Sequence, residues 1–502
     1  MKKFEISSIV FALLYSLYSV CVFGTIFLSK VYVALNPSSF SDYYFFFVLC
    51  IIALLAHFLL FNLLCCRFVT KFFAFLFLIS SGFASYFMRT YNVLIDEDMI
   101  YNSLKTDINE VSDLLSLHLV IYIFFVAIVP IIVISFLKIK HSVKLFFKSI
   151  KITLILLPIA LLLILSAYFK AAGFFRVNRE FQHSIIPSNY IIPIFEITKN
   201  SFFPSVQDEE LKIEDLTLEN IPEDLNIIFV VGETARRKNF EIYGYERKTN
   251  PALSEVKDLK IIPDTNSCGT STRISVPCIF SPSEKYQNYL PSLQKAGAFI
   301  KWYENNFGGC YGMCDEIPSF KVDHSQCDGS CPDGKIFDEF YKDFATQKRG
   351  LNLFILHQNG SHGPLYFKRY PKEFAKFKPE CVTANVNECS KEELVNAYDN
   401  SILYTDFLLG QLIENMKKAA KPTVVIYVSD HGESLGEKGI FLHGFPLAFA
   451  PKEQIEIPFL VWSSFPIEIK EKKEYTHKNV MNLILSLMKA KSKVINPEDN
   501  IL

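Results

Sequence analysis

The stretch Val424-Val425-Ile426-Tyr427-Val428-Ser429-Asp430-His431-Gly432-Glu433 sets metal-ligand residue types at the end of an apolar, β-branched run. A second stretch has the same form, Ile227–Val231 running into Gly232-Glu233-Thr234. Short apolar runs bounded by glycine read as buried strands. Asn226–Val231, Ala298–Tyr303, Leu353–Leu356, Val424–Val428 and Ile457–Trp462 all fit that description. Helical patterns lie between them, notably over 391–418, where Leu394, Ala397, Tyr398 and Leu403 recur at helical spacing. Strands alternating with helices predict a mainly parallel sheet sandwiched by helices. In such sheets the working site lies beyond the carboxyl ends of the strands, where Glu233 and the Asp430-His431 pair both fall.

A third stretch, Ser267-Cys268-Gly269-Thr270-Ser271-Thr272, opens a helical pattern and offers hydroxyls at 270, 271 and 272. A threonine hydroxyl needs a base or a metal to become a nucleophile near neutral pH. Zn²⁺ with oxygen and nitrogen ligands does this and also stabilises charge on an attacked phosphoryl oxygen. Glu233, Asp430 and His431 supply three ligands, and the nucleophile's oxygen could complete a tetrahedral set. The amino-terminal turn of the helix would point N–H groups at an anion, although a Ser/Thr-rich turn is also an ordinary helix cap. His362 and His443 sit in glycine-flanked loops, where second-layer ligands or phosphate-binding groups belong. His357 directly follows a strand and reads equally well as a wall residue. His477 begins the apolar pattern Val480–Met488 and reads as a cap or structural contact.

Outward from this domain the composition changes. The chain has 502 residues, half of them hydrophobic, and a formal net charge of −1, so no basic field argues for nucleic acid. Residues 1–170 carry five long apolar runs, 7–28, 43–64, 72–88, 119–137 and 152–169. A membrane-spanning helix needs roughly 17–25 residues. Lys2 and Lys3, Arg67 and Lys71, and Lys138, Lys140, Lys144, Lys148 and Lys151 charge alternate loops, while 29–42 and 89–117 are poor in cations. The amino terminus is therefore expected inside, and residues 170–502 outside. His57 lies within the second run, where a neutral imidazole facing a neighbouring helix is the simple reading and function the alternative. Asn102, Thr106 and Glu110 would line one face of a short helix in the outer loop, as a solvated face or a lipid contact.

Three segments follow: a five-helix membrane domain over 1–170 with the polar loop 89–117, an amphipathic bridging segment and linker over 171–225, and a catalytic domain over 226–502. Eight of the twelve cysteines lie in the last as close pairs: Cys268/Cys278, Cys310/Cys314, Cys327/Cys331 and Cys381/Cys389. Close pairs in even number point to disulfides and an oxidising compartment. Cys327 and Cys331 also have zinc-knuckle spacing, but each pair closes its own short loop.

Six longer motifs carry a resemblance: VVGETAR (230–236), YGYERKTNPAL (243–253), SCGTSTRISVPCIFS (267–281), GPLYFKRYPKEFAKFKPEC (363–381), NAYDNSILYTD (396–406) and SDHGESLGEKGIFLHGFPLAFAPKEQ (429–454). Together they resemble the membrane-bound phosphoethanolamine transferases that modify lipid A, the group that includes the mobile colistin-resistance enzymes, within the alkaline phosphatase/sulfatase superfamily. The resemblance spans essentially the whole chain. It implies a zinc-dependent ping-pong transfer in a Gram-negative inner membrane, with the catalytic domain in the periplasm. Phosphatidylethanolamine is the implied donor and a phosphate of lipid A the implied acceptor. Thr272 is the implied nucleophile, and Glu233, Thr272, Asp430 and His431 the implied zinc site. His362, His443 and Asn306 are implied to contact the phosphoryl group or a second zinc, and Asn102, Thr106 and Glu110 to bind lipid.

One departure stands out. The family pattern NNSGCKGVC is here Asn305-Asn306-Phe307-Gly308-Gly309-Cys310-Tyr311-Gly312-Met313-Cys314, one residue longer, with Tyr311 where lysine is expected. A charge-assisted contact of that kind contributes about 1.5–3 kcal/mol, so an altered or broadened acceptor range is expected. The competing readings are a phosphoglycerol transferase of the same superfamily acting on a periplasmic glycan, and a catalytically silent scaffold. The oligomeric state and any further glycan or protein acceptors stay open.

Overall fold

The structure, a computed structural model, describes residues 4–64, 69–105, 111, 114–202, 210–327 and 331–502. Two compact units divide the chain: residues 1–101 with 116–199, and residues 102–115 with 200–502.

Among the described residues the first unit contains five helices long and apolar enough to cross a membrane: α1 (Ser8–Leu35), α2 (Phe40–Leu64), α3 (Thr70–Thr90), α4 (Leu117–Phe136) and α5 (Val143–Ser166). The fifth starts nine residues before the apolar run begins. Ser142 caps it by accepting the Leu145 N–H, and Lys144, Lys148 and Lys151 lie in its first turns, since lysine is a good helix former. Turns of π-helix interrupt α1 at Val20–Gly24 and α4 at Phe124–Ile128. Carbonyls in both interruptions take side-chain donors: Arg89 donates to Val22 and Tyr18 to Val126.

His57 is buried, with its ring nitrogens 2.8 Å from the Ala53 carbonyl and 3.0 Å from that of Ile186. Residues 171–199 belong to this unit. Phe175 stacks on Phe27, and the Tyr190 hydroxyl meets Ser80 and Ser81 of α3. A short helix, Glu97–Lys105, carries Asn102. Thr106 and Glu110 lie outside the described residues, as does the side chain of Asn102.

The second unit is built on a seven-stranded sheet. Its strands are β1 (Leu225–Gly232), β2 (Lys260–Ile262), β3 (Phe299–Glu304), β4 (Ser319–Lys321), β5 (Leu351–His357), β6 (Thr423–Ser429) and β7 (Phe459–Ser463), in the order β2-β7-β6-β1-β5-β3-β4. From β6 to β4 the pairs are parallel, while β7 and β2 add antiparallel edges. The five runs read as strands are five of the seven. The two edges escaped because three residues, only one of them buried in β2 and none in β4, leave no periodic signal. Ala298 and Ile457 fall just outside their strands.

Central strands β1, β5 and β6 are buried at every position. Isoleucine, valine, leucine and phenylalanine from one face, among them Ile227, Phe229, Ile355 and Ile426, enter a core with the helix His477–Leu487. The helix Lys391–Ala419 begins with a capping box in which Ser390 and Glu393 satisfy each other's backbone N–H. Four disulfides join Cys268–Cys278, Cys310–Cys314, Cys327–Cys331 and Cys381–Cys389.

Candidate active site

Strand register assembles the site. β1 and β6 run parallel with Gly232 opposite Ser429, so Glu233 and Asp430 leave the sheet side by side. The Asp430 N–H donates to the Gly232 carbonyl at 2.9 Å, and the Thr234 N–H returns to Asp430 Oδ1 at 3.1 Å. Thr234 has φ +51°, a left-handed turn that bends the chain away from the strand. Gly232 is required by packing: a Cβ there would stand 2.5 Å from the Tyr427 hydroxyl.

Thr272 is the first residue of the helix Thr272–Phe280, with Ser271 at its cap. Its Oγ1 donates to Glu233 Oε2 at 3.1 Å and lies 3.3 Å from His431 Nε2. The other two hydroxyls are placed differently. Thr270 Oγ1 donates to the Phe445 carbonyl at 2.7 Å, and Ser271 Oγ is buried without a hydrogen-bond partner among the described residues. His477 ties this turn to the sheet: Nδ1 accepts the Cys268 N–H at 3.2 Å and Nε2–H donates to the Ser429 carbonyl at 2.9 Å.

His431 Nδ1–H donates to the Gly432 carbonyl, which turns Nε2 towards Glu233 Oε1 at 3.5 Å and Asp430 Oδ2 at 3.3 Å. Those two carboxylate oxygens are buried and accept no hydrogen bond from the described residues. Burial, and after it the Asp430 charge, pushes the Glu233 carboxyl well above the usual range. Burial acts the same way on Asp430, but the facing His431, and after it the Glu233 carboxyl, outweigh it and hold Asp430 low. Burial lowers His431 to about 4, leaving a neutral ring with a lone pair to offer. Two orphaned carboxylate oxygens facing a neutral imidazole and a hydroxyl make a donor set that suits a dication of the zinc type. Glu233, Asp430 and His431 bring one ligand atom each within 4.8 Å of one another.

Glu233 also groups with His362 and His443 within the same limit. The His443 ring lies 4.5 Å from His431 and 5.1 Å from His362. Burial, then the facing His443, holds His362 well below its ordinary value. Asn306 Nδ2 donates to Glu233 Oε2 at 2.7 Å. The six other predicted metal- and substrate-site residues of the catalytic domain therefore converge on Glu233. His357 stands apart as the last residue of β5, with Nδ1 3.0 Å from Glu304 Oε2. Tyr311 is half-buried at φ +47°, and its hydroxyl lies over Gly308, where a Cβ would meet it at 2.7 Å.

Two further residues, neither assigned a role of its own from the sequence, shape the site. Glu433 Oε2 accepts His443 Nδ1–H at 3.0 Å while Oε1 accepts the Tyr366 hydroxyl at 3.1 Å, which fixes the tautomer of His443. Its proximity to Asp430-His431 was the available signal. Asp333 lies between a disulfide and a helix, a position with no signal of its own.

Residues 53–202 match the family model described as phosphoethanolamine transferase EptA/EptB, and residues 225–490 match the sulfatase model. Phosphoethanolamine transferase EptA of Escherichia coli K12 is 33% identical over 464 residues, covering 85% of this chain and 84% of the relative. The chain belongs to the phosphoethanolamine transferase family. Phosphatidylethanolamine transferase Mcr-1 of Escherichia coli is 35% identical to this transferase over 431 residues, 79% of each chain. The integral membrane lipooligosaccharide phosphoethanolamine transferase A of Neisseria meningitidis superposes with a TM-score of 0.93 at 30% identity, over 99% of both chains. The transferase is a bacterial inner-membrane protein with five spans and a periplasmic carboxyl-terminal domain.

Proposed function

We propose that the transferase moves phosphoethanolamine from phosphatidylethanolamine to a phosphate of lipid A through a phospho-threonine at Thr272. The carrying observation is the Thr272 hydroxyl, 3.1 Å from Glu233 Oε2 and 3.3 Å from His431 Nε2 at the amino end of a helix. That helix end favours an anion beside the hydroxyl.

In the first half-reaction Thr272 Oγ bonds to the donor phosphorus and the bond from phosphorus to the glycerol oxygen breaks. The threonine proton leaves, and diacylglycerol departs as the neutral alcohol after taking up a proton. In the second, an oxygen of the lipid A phosphate bonds to the same phosphorus. The phosphorus–Oγ bond breaks, a diphosphate linkage forms, and Thr272 regains its proton.

Glu233 accepts the Thr272 hydrogen bond and orients Oγ. Asn306, held on Glu233, offers an amide to the phosphoryl oxygens. His362 and His443 border the same space as neutral or proton-carrying rings. Glu233, Thr272, Asp430 and His431 would hold the zinc, which when bound lowers the pKa of the hydroxyl and neutralises phosphoryl charge. The polar loop residues Asn102, Thr106 and Glu110 are proposed to contact the donor lipid.

Mass spectrometry of lipid A from cells with and without the transferase tests this reading, beside Thr272→Ala. The expected result is a phosphoethanolamine mass gain that requires Thr272. A gain that survives in the alanine variant overturns the nucleophile. A phosphoglycerol gain on a glycan instead overturns donor and acceptor together.

A further inference from the structure

Asp333 occupies the N-cap of the helix Gly334–Thr346, a position where an aspartate side chain ordinarily accepts an N–H from the first helical turn. It makes no such bond. The carboxylate is buried and aimed at the strand ends instead. Oδ1 accepts Asn305 Nδ2 at 2.6 Å and the Asn359 N–H at 2.8 Å, and Oδ2 accepts the Gly360 N–H at 2.9 Å. A carboxylate withdrawn from water needs several donors of this kind.

Both branches end on Glu233. Along one, Asn305 also donates to the Cys331 carbonyl at 3.0 Å and precedes Asn306, whose amide reaches Glu233 Oε2 at 2.7 Å. Along the other, Gly360 has φ +49° and packs so close that a Cβ would stand 2.5 Å from the Glu233 carbonyl oxygen. The next residue, Ser361, donates its N–H to that same oxygen at 3.0 Å, and His362 follows it. The Cys327–Cys331 disulfide anchors the chain two residues before Asp333.

We infer that Asp333 is a positioning residue for the transfer: its carboxylate ties Asn306 and the His362 loop to the two sides of Glu233. The inference rests on the transfer reading above. It gives the Cys327–Cys331 disulfide a role in the site, since Cys331 stands two residues before Asp333 and its carbonyl takes Asn305 Nδ2. An asparagine keeps the shape but turns an amide hydrogen towards one of the three donors, so one branch must let go.

The test uses the full-length transferase in detergent, wild type beside Asp333→Asn and Asn305→Ala, with labelled phosphatidylethanolamine as donor. Asn305→Ala cuts only the Asn306 branch. Asp333→Asn is expected to lower kcat on the order of 10- to 100-fold, the penalty of a small misplacement, with KM within about twofold. Asn305→Ala is expected to give a smaller fall. Hydrogen-exchange mass spectrometry supplies an activity-free readout. In Asp333→Asn the amides of 358–362 should lose protection while β1 and β6 keep theirs.

Uniform loss of protection, or loss of activity that only tracks the folded fraction, overturns the inference and makes Asp333 a stability residue. An unchanged kcat in Asp333→Asn overturns it as well. A wild-type chain that transfers nothing, with the local exchange change intact, overturns the transfer reading and leaves the clamp on Glu233 standing.

Discussion

His477 and Cys268, 209 positions apart in sequence, share a hydrogen bond in which the His477 ring accepts the Cys268 backbone N–H at 3.2 Å. The ring's other nitrogen donates to Ser429, one residue before Asp430. One imidazole thus sets the spacing between the turn that presents Thr272 and the strand end that presents Asp430 and His431.

That arrangement works only for a neutral ring. Burial lowers His477 to about 4, below the ordinary 6.5 or so of an unfolded chain. Acid therefore protonates the unfolded state first, and the contribution is complete above about pH 6.5 and is lost as pH falls towards 4. Thermal melts of wild type and His477→Phe should show a gap of about 1–3 kcal/mol near pH 7 that narrows through this window. A gap constant with pH would mean that the ring does not titrate with folding.

Removing metal should abolish transfer without unfolding the periplasmic domain, because the sheet core and four disulfides do not depend on the site. Asp430→Asn is expected to lower bound zinc, measured by elemental mass spectrometry, and to slow transfer on the order of 10³-fold. Normal zinc content in that variant would remove Asp430 from the ligand set.

Gly360→Ala joins two penalties, a left-handed backbone and a Cβ placed against the Glu233 carbonyl. A loss of about 1–3 kcal/mol in stability is expected, together with a fall in transfer. Denaturant titration beside a transfer assay checks both. Intact transfer would mean that the loop can retreat from Glu233 harmlessly.

Arg236 and Glu437 form a pair at 2.7 Å, with the arginine side chain only 3% exposed. Burial pushes the Glu437 carboxyl up, and Arg236 more than offsets it, so the group sits below its ordinary value. Its contribution is full above the unfolded value of about 4.5 and is lost as pH falls through the lower folded one. Glu437→Gln leaves the guanidinium without its counter-charge and should destabilise by about 3–5 kcal/mol at pH 7. Equal stability of variant and wild type at pH 7, by chemical denaturation, would refute this.

Tyr311→Lys tests the departure from the family pattern. Restoring a cation is expected to raise the rate on lipid A relative to other phosphorylated acceptors by about tenfold. Unchanged relative rates in a competition assay would show that Tyr311 does not set acceptor range.

The sheet and the five spans were legible because both leave long periodic or uninterrupted apolar signals, as in Val424–Val428 and 43–64. Glu233 and Asp430-His431 could be placed from strand ends alone. Choosing Thr272 over Thr270 and Ser271 needed the family resemblance, since three hydroxyls within three residues have the same local chemistry. Asp333 and His477 could not be read as partners of the site. Their roles arise from hydrogen bonds to backbone groups 26 and 209 positions away, and a backbone donor leaves no mark in the identity of its residue.

Each disulfide joins cysteines that are consecutive in the sequence of the periplasmic domain, with separations of 10, 4, 4 and 8. As the chain is threaded through the inner membrane, every cysteine of that domain therefore meets its partner before the next pair has emerged. An oxidant that joins thiols in order of arrival writes the native set directly, and maturation of the enzyme calls for a donor of disulfides rather than a catalyst that reshuffles them.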